Sequence, residues 1–135
     1  IRTHGTAKIL SEPGLGKIFC NENINFQNNF ANNVEIIQSI SDSKGVNLNF
    51  MLEYLASKFT CNDVLIEAGP TLSGSFIRAG LVDELVVYIA PKVLGSDAKP
   101  LFEITGLESL AESTQFVTSE VTQIGTDIKA MLIRS

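Results

Sequence analysis

The residues best placed to do chemistry fall in one ten-residue stretch, EAGPTLSGSF, residues 67–76. An apolar run, DVLIE, leads into it, and the pattern beyond Pro70 is helical. Pro is favoured at the first position of a helix. A helix start carries unpaired N–H groups and a partial positive charge, so it attracts anions. Thr71, Ser73 and Ser75 add hydroxyls, and Gly74 would let a ligand or another strand approach the helix backbone closely. Phosphate binding is one reading of this turn. A tight strand-to-helix turn, its small residues serving only packing, is the other.

Familiar phosphate motifs do not match. Gly69 and Gly74 have P-loop spacing, but Ser75 stands where that motif needs Lys, which argues against nucleotide hydrolysis. The Rossmann pattern GxGxxG is also missing. Glu67 sits at the end of the apolar run. Its carboxylate would either bond substrate hydroxyls and ring nitrogens at a pocket mouth or hold nearby backbone N–H groups. Asp83 and Glu84 suggest acid–base or metal chemistry but fit a solvated loop or a helix-end cap better. Arg78 and Lys92 could reach a phosphate, or face water. His4 is the only histidine. With no second His and no CxxC, a zinc site or a Ser–His–Asp triad is not expected, and neither is any other metal centre. Cys20 and Cys61 read as small apolar core groups.

These residues need elements to position them. The 135-residue length suits one domain, residues 1–135, with a core of its own. Hydrophobic residues make up 44% and charged ones 19%, a globular balance that excludes disorder. No apolar run reaches the roughly 18 residues of a membrane span. Two cysteines exclude a disulfide scaffold and suit a reducing cytoplasm. The net charge of −5 arises wholly in the second half, where residues 61–135 hold ten acidic and five basic side chains. Without a basic stripe, nucleic-acid binding is not expected.

Strands are expected at residues 7–10 and 17–20, around the turn at 12–16, and again at 34–37. The Asn-rich segment 21–33, seven Asn in thirteen residues, reads as a polar connection anchored by Ile24, Phe26 and Phe30. Leu48, Met51, Leu52, Leu55, Ala56 and Phe59 share one helical face, with Asn47 or Asn49 as cap. Residues 63–67 and 85–90 read as buried strands on either side of a helix over 72–78. Strand–helix alternation implies βαβ crossovers and parallel pairing. A short helix is expected at 106–112, then antiparallel strands at 115–124 and 127–134. The class is α/β, with a mixed, mainly parallel sheet flanked by helices and closed by antiparallel strands.

Within this frame, EAGPTL, AGLVDEL and YIAPKVLG follow one another across residues 64–102. That order and spacing resemble the C-terminal reductase domain of the bifunctional riboflavin-biosynthesis deaminase/reductase. The closing Ile124-Gly125-Thr126-Asp127 is similar too. The resemblance is good over residues 46–135 and weak before them. It implies a dihydrofolate-reductase-like fold, NADPH as hydride donor and a homodimer. The implied reaction reduces the ribosyl group of 5-amino-6-(5-phosphoribosylamino)uracil, a phosphorylated pyrimidine, to a ribityl chain. It also implies that Gly69, Pro70, Thr71, Leu72, Ser73, Gly74 and Ser75 bind NADPH and that Glu67 binds substrate. No catalytic role carries over to Asp83 or Glu84.

The family's first strands and the zinc-deaminase signature do not occur in this sequence, which begins at Ile1. The chain therefore reads as the C-terminal portion of a reductase domain, with weak NADPH binding and little activity by itself. Two rivals stay open: a non-catalytic α/β binding or assembly module, and a reductase of the same fold acting on a pterin or related pyrimidine.

Overall fold

The computed structural model describes residues 7–10, 12–21, 30, 32–39, 41–42 and 45–135. The chain gathers into two compact units, Ile1–Val64 and Leu65–Ser135.

In the first unit, residues 7–10 do not form the expected strand. Lys8–Leu10 is a 3-10 turn closed by Leu10 N–H on Ala7 O at 2.9 Å. The strand β1, Gly16–Asn21, pairs in parallel with β2, Val34–Ser39, in the register Gly16↔Val34 to Asn21↔Ser39. Gly16 starts that ladder close to its partner strand: a Cβ there would stand 3.1 Å from Val34 Cγ2. Asn33 fixes the entry to β2, its Nδ2 donating to Gly14 O at 2.8 Å and Glu12 O at 3.2 Å. Of the Asn-rich connection, only residues 21, 30, 32 and 33 are among those described. A small antiparallel pair follows, β3 (Ser41–Asp42) with β4 (Gly45–Val46).

The helix α1 spans Leu48–Phe59, as its apolar spacing predicts. Asn47 is the cap, its Oδ1 accepting from Phe50 N–H at 3.0 Å. Tyr54 meets the Phe19 ring of β1 edge-on at 5.7 Å. Lys17 pairs with Glu35 and lies 4.9 Å from the centre of the Phe59 ring. Leu10, Cys20 and Ile37 are buried in this unit, together with Ser39.

The apolar run at 63–67 joins no ladder among the described residues, and Leu65 is 82% exposed. Hydrophobicity alone does not make a strand; a neighbour must supply N–H and C=O partners. The helix α2, Pro70–Arg78, comes next. It ends in a Schellman motif: Leu81 N–H bonds Phe76 O at 3.1 Å and Gly80 N–H bonds Ile77 O at 3.0 Å. Gly80 takes φ +69°, the left-handed conformation that motif requires.

The strand β5, Glu84–Ile89, pairs with the last strand in antiparallel fashion, not in parallel as expected. The helix expected at 106–112 is only a 3-10 turn, Leu110–Glu112, with the Glu112 carboxylate accepting from Ser109 Oγ and Glu108 N–H. The strands β6 (Phe116–Ile124) and β7 (Asp127–Arg134) form the expected hairpin around Gly125-Thr126. The sheet order is β5-β7-β6, so among the described ladders only β1–β2 is parallel. A bulge between Thr118 and Glu120 places Ser119 Oγ on Met131 O at 3.2 Å. Phe76 and Ile77 of α2 are the buried apolar side chains of this unit among the described residues.

Candidate functional site

The amino end of α2 gathers the residues singled out in the sequence. Gly69 is its cap, extended at φ −72° and ψ 173°, and no side chain of the cap closes the helix end. Pro70 fills the first position. The first helical bond runs from Ser73 N–H to Gly69 O at 3.1 Å. The N–H groups of Thr71 and Leu72 precede that bond, and both residues are exposed. A Cβ on Gly69 would touch nothing within 4 Å. The helix end is therefore open to a ligand and carries the positive end of the helix dipole.

The three hydroxyls are engaged within the chain. Thr71 Oγ1 donates to Glu103 Oε2 at 2.6 Å, Ser73 Oγ to Ala68 O at 3.3 Å, and Ser75 Oγ to Thr71 O at 2.8 Å. A phosphate oxygen needs donors, so the groups left open at this turn are backbone N–H groups.

Gly74 is buried, and the backbone beside it belongs to the chain itself. A Cβ there would lie 2.5 Å from Glu103 O and 3.1 Å from Glu103 N. Glu103 N–H also bonds Pro70 O at 3.0 Å. Glu103 thus touches the turn through its backbone, its N–H and its carboxylate. Sequence reasoning missed it because residues 95–107 carry no periodicity. The one available signal is Glu103 alone between Phe102 and Ile104, both of them half-buried.

Glu67 is exposed two residues before Gly69 and has no ion-pair partner among the described residues. Arg78, at the other end of α2, borders a cleft of about 360 Å³ with Ile77, Leu85, Phe102, Glu112 and Phe116. Asp83 and Glu84 are exposed; Glu84 opens β5, and Asp83 O accepts from Arg134 N–H of β7 at 2.9 Å. Lys92 is exposed. His4 lies outside the described residues, among which no cluster of metal-ligating side chains occurs. Cys20 is buried, its Sγ 3.8 Å from Ile37 O, and burial pushes the thiol pKa up. Cys61 is only half-buried.

The fold places the chain in a known class. The fold is that of a solved RibD chain from Acinetobacter baumannii, with TM-score 0.81 and 33% identity over 99% of this chain and 35% of that one. The expected dihydrofolate-reductase-like class therefore holds. The family model described as the RibD C-terminal domain matches residues 14–130, and the chain belongs to that family. It is 38% identical over 127 residues to riboflavin biosynthesis protein RibD of Buchnera aphidicola from Baizongia pistaciae, covering 94% of this chain and 33% of that protein. It is 41% identical over 101 residues to the 5-amino-6-(5-phosphoribosylamino)uracil reductase of Buchnera aphidicola from Acyrthosiphon pisum, covering 75% of this chain and 48% of that one. The chain thus spans between a third and a half of these relatives' length.

Proposed function

We propose that this chain provides the NADPH-binding turn and part of the substrate pocket of a 5-amino-6-(5-phosphoribosylamino)uracil reductase of riboflavin biosynthesis. The observation that carries this reading is the exposed amino end of α2, which no side chain of its cap closes. It lies in a chain that belongs to the RibD C-terminal domain family and is similar to a reductase of that name. The donor chemistry fits a dinucleotide: the Thr71 and Leu72 N–H groups take phosphate oxygens, and Pro70 fixes the first turn. Ser73 and Ser75 hold the turn's shape through their backbone bonds. Gly69 keeps the approach free, and Gly74 lets Glu103 pack beneath the turn. The chemistry such a cofactor supplies is hydride donation. Glu67, exposed at the mouth of the turn, accepts hydrogen bonds from the phosphorylated pyrimidine substrate.

The same reading includes a homodimer and a cytoplasmic location. The dimer is supported by one face of the β5-β7-β6 sheet, where Val86, Tyr88, Val117 and Ile133 are 40–63% exposed. A cytoplasmic location is supported by the two free cysteines, and among the described residues no helix is long and apolar enough to cross a membrane.

Titration of the chain with NADPH and NADH, its folding checked by circular dichroism, tests the reading. Saturable binding, tighter for NADPH and weakened by Gly69→Asp, is the expected result. A folded chain that binds neither dinucleotide would turn the assignment toward a non-catalytic module in which Gly74 serves packing alone.

A further inference from the structure

We propose that Glu103 is a built-in competitor at the amino end of α2 and sets the affinity of that turn for an anionic ligand; the inference rests on the dinucleotide reading above. Three contacts hold Glu103 on the first turn of α2. Its N–H bonds Pro70 O at 3.0 Å, its backbone lies against the bare Cα of Gly74, and its Oε2 accepts from Thr71 Oγ1 at 2.6 Å. The cap residue Gly69 has no side chain to close the helix end, and a carboxylate is the natural complement of its positive pole. A threonine hydroxyl has a single proton. While Thr71 donates it to Glu103, none is left for a phosphate.

A dinucleotide phosphate brings negative charge to the turn that Glu103 already serves. Like charges a few ångströms apart oppose one another. Binding must therefore displace the Glu103 carboxylate or bear its repulsion. Glu103 is thus an affinity-determining residue and not a catalytic one.

The test is a titration of NADPH onto the wild-type chain and the Glu103→Gln variant at low and high salt. Glutamine keeps the size and an acceptor oxygen for Thr71 but removes the charge. Glu103→Ala serves as a second variant and also frees the hydroxyl. Both should bind NADPH about five- to tenfold more tightly than wild type at low ionic strength. The gap should close to less than about twofold near 1 M salt, where the Debye length is only ~3 Å. A merely structural Glu103 predicts the opposite sign, since loosening the turn weakens binding. Equal or weaker binding by both variants, with wild type binding saturably, overturns the inference and leaves the dinucleotide reading intact. No saturable binding by any of the three folded proteins overturns that reading, and the inference with it.

Discussion

The two helices close their amino ends in different ways. α1 is capped from within its own segment, by Asn47 on Phe50 N–H at 3.0 Å. α2 begins at Gly69 with no side-chain cap, and the carboxylate at its first turn belongs to Glu103, 32 residues beyond Thr71. The interiors differ as well. No residue of α1 is fully buried, whereas α2 buries Gly74, Phe76 and Ile77. The amino end of α2 is left to a distant partner, and its glycine cap costs it only roughly a few tenths of a kcal/mol against an Asn or Asp cap.

Substitutions can break this contrast. Gly→Ala within a helix normally gains about 1 kcal/mol. At Gly74 the added methyl would meet Glu103 O at 2.5 Å, and backbone cannot step aside cheaply. Gly74→Ala should therefore lower stability by about 1–3 kcal/mol in urea unfolding. A gain there would mean that Glu103 does not pack on α2 as described. Gly69→Asp gives α2 the cap it lacks, at a position with room for the side chain. It should weaken NADPH binding about tenfold or more in the same titration, while raising stability by only a few tenths of a kcal/mol. In α1, Asn47→Ala should cost about 1 kcal/mol of unfolding free energy, with no change in dinucleotide affinity. The smallest effect concerns the carboxyl ends. α2 passes through the left-handed region at Gly80, but α1 does so at Thr60, a β-branched residue at φ 52°. Thr60→Gly should stabilise by about 0.5 kcal/mol, the strain relieved less the extra chain entropy of glycine. Differential scanning calorimetry would resolve it.

Local signals made much of this legible in the sequence. The apolar face from Leu48 to Phe59 marked α1 at its observed bounds, and Asn47 is the one of the two cap candidates, Asn47 and Asn49, that caps it. Gly69-Pro70 marked the start of α2, and Gly125-Thr126 marked the hairpin. Pairing was less legible, because it depends on what lies alongside. The run at 63–67 has the composition of a buried strand yet meets no partner strand among the described residues, and β5 found β7 in the antiparallel sense. At the site, the glycines, proline and hydroxyls of the turn were visible as types. That Thr71 spends its proton on Glu103, and that Gly74 exists to admit the Glu103 backbone, depends on contacts about 30 residues apart. No periodicity encodes those.

Both poles of α2 are answered from downstream. Glu103 supplies the negative group at its start, and the Arg134 guanidinium donates to Gly80 O at its end. The second contact spans 54 residues. Such contacts carry loop-closure entropy that local caps do not. On the ribosome the Asn47 cap of α1 and the Schellman end of α2 come from residues next to each helix, whereas the Glu103 and Arg134 contacts of α2 wait for chain made later. The two ends of α2 thus gain these contacts only once residues 103 and 134 have been made.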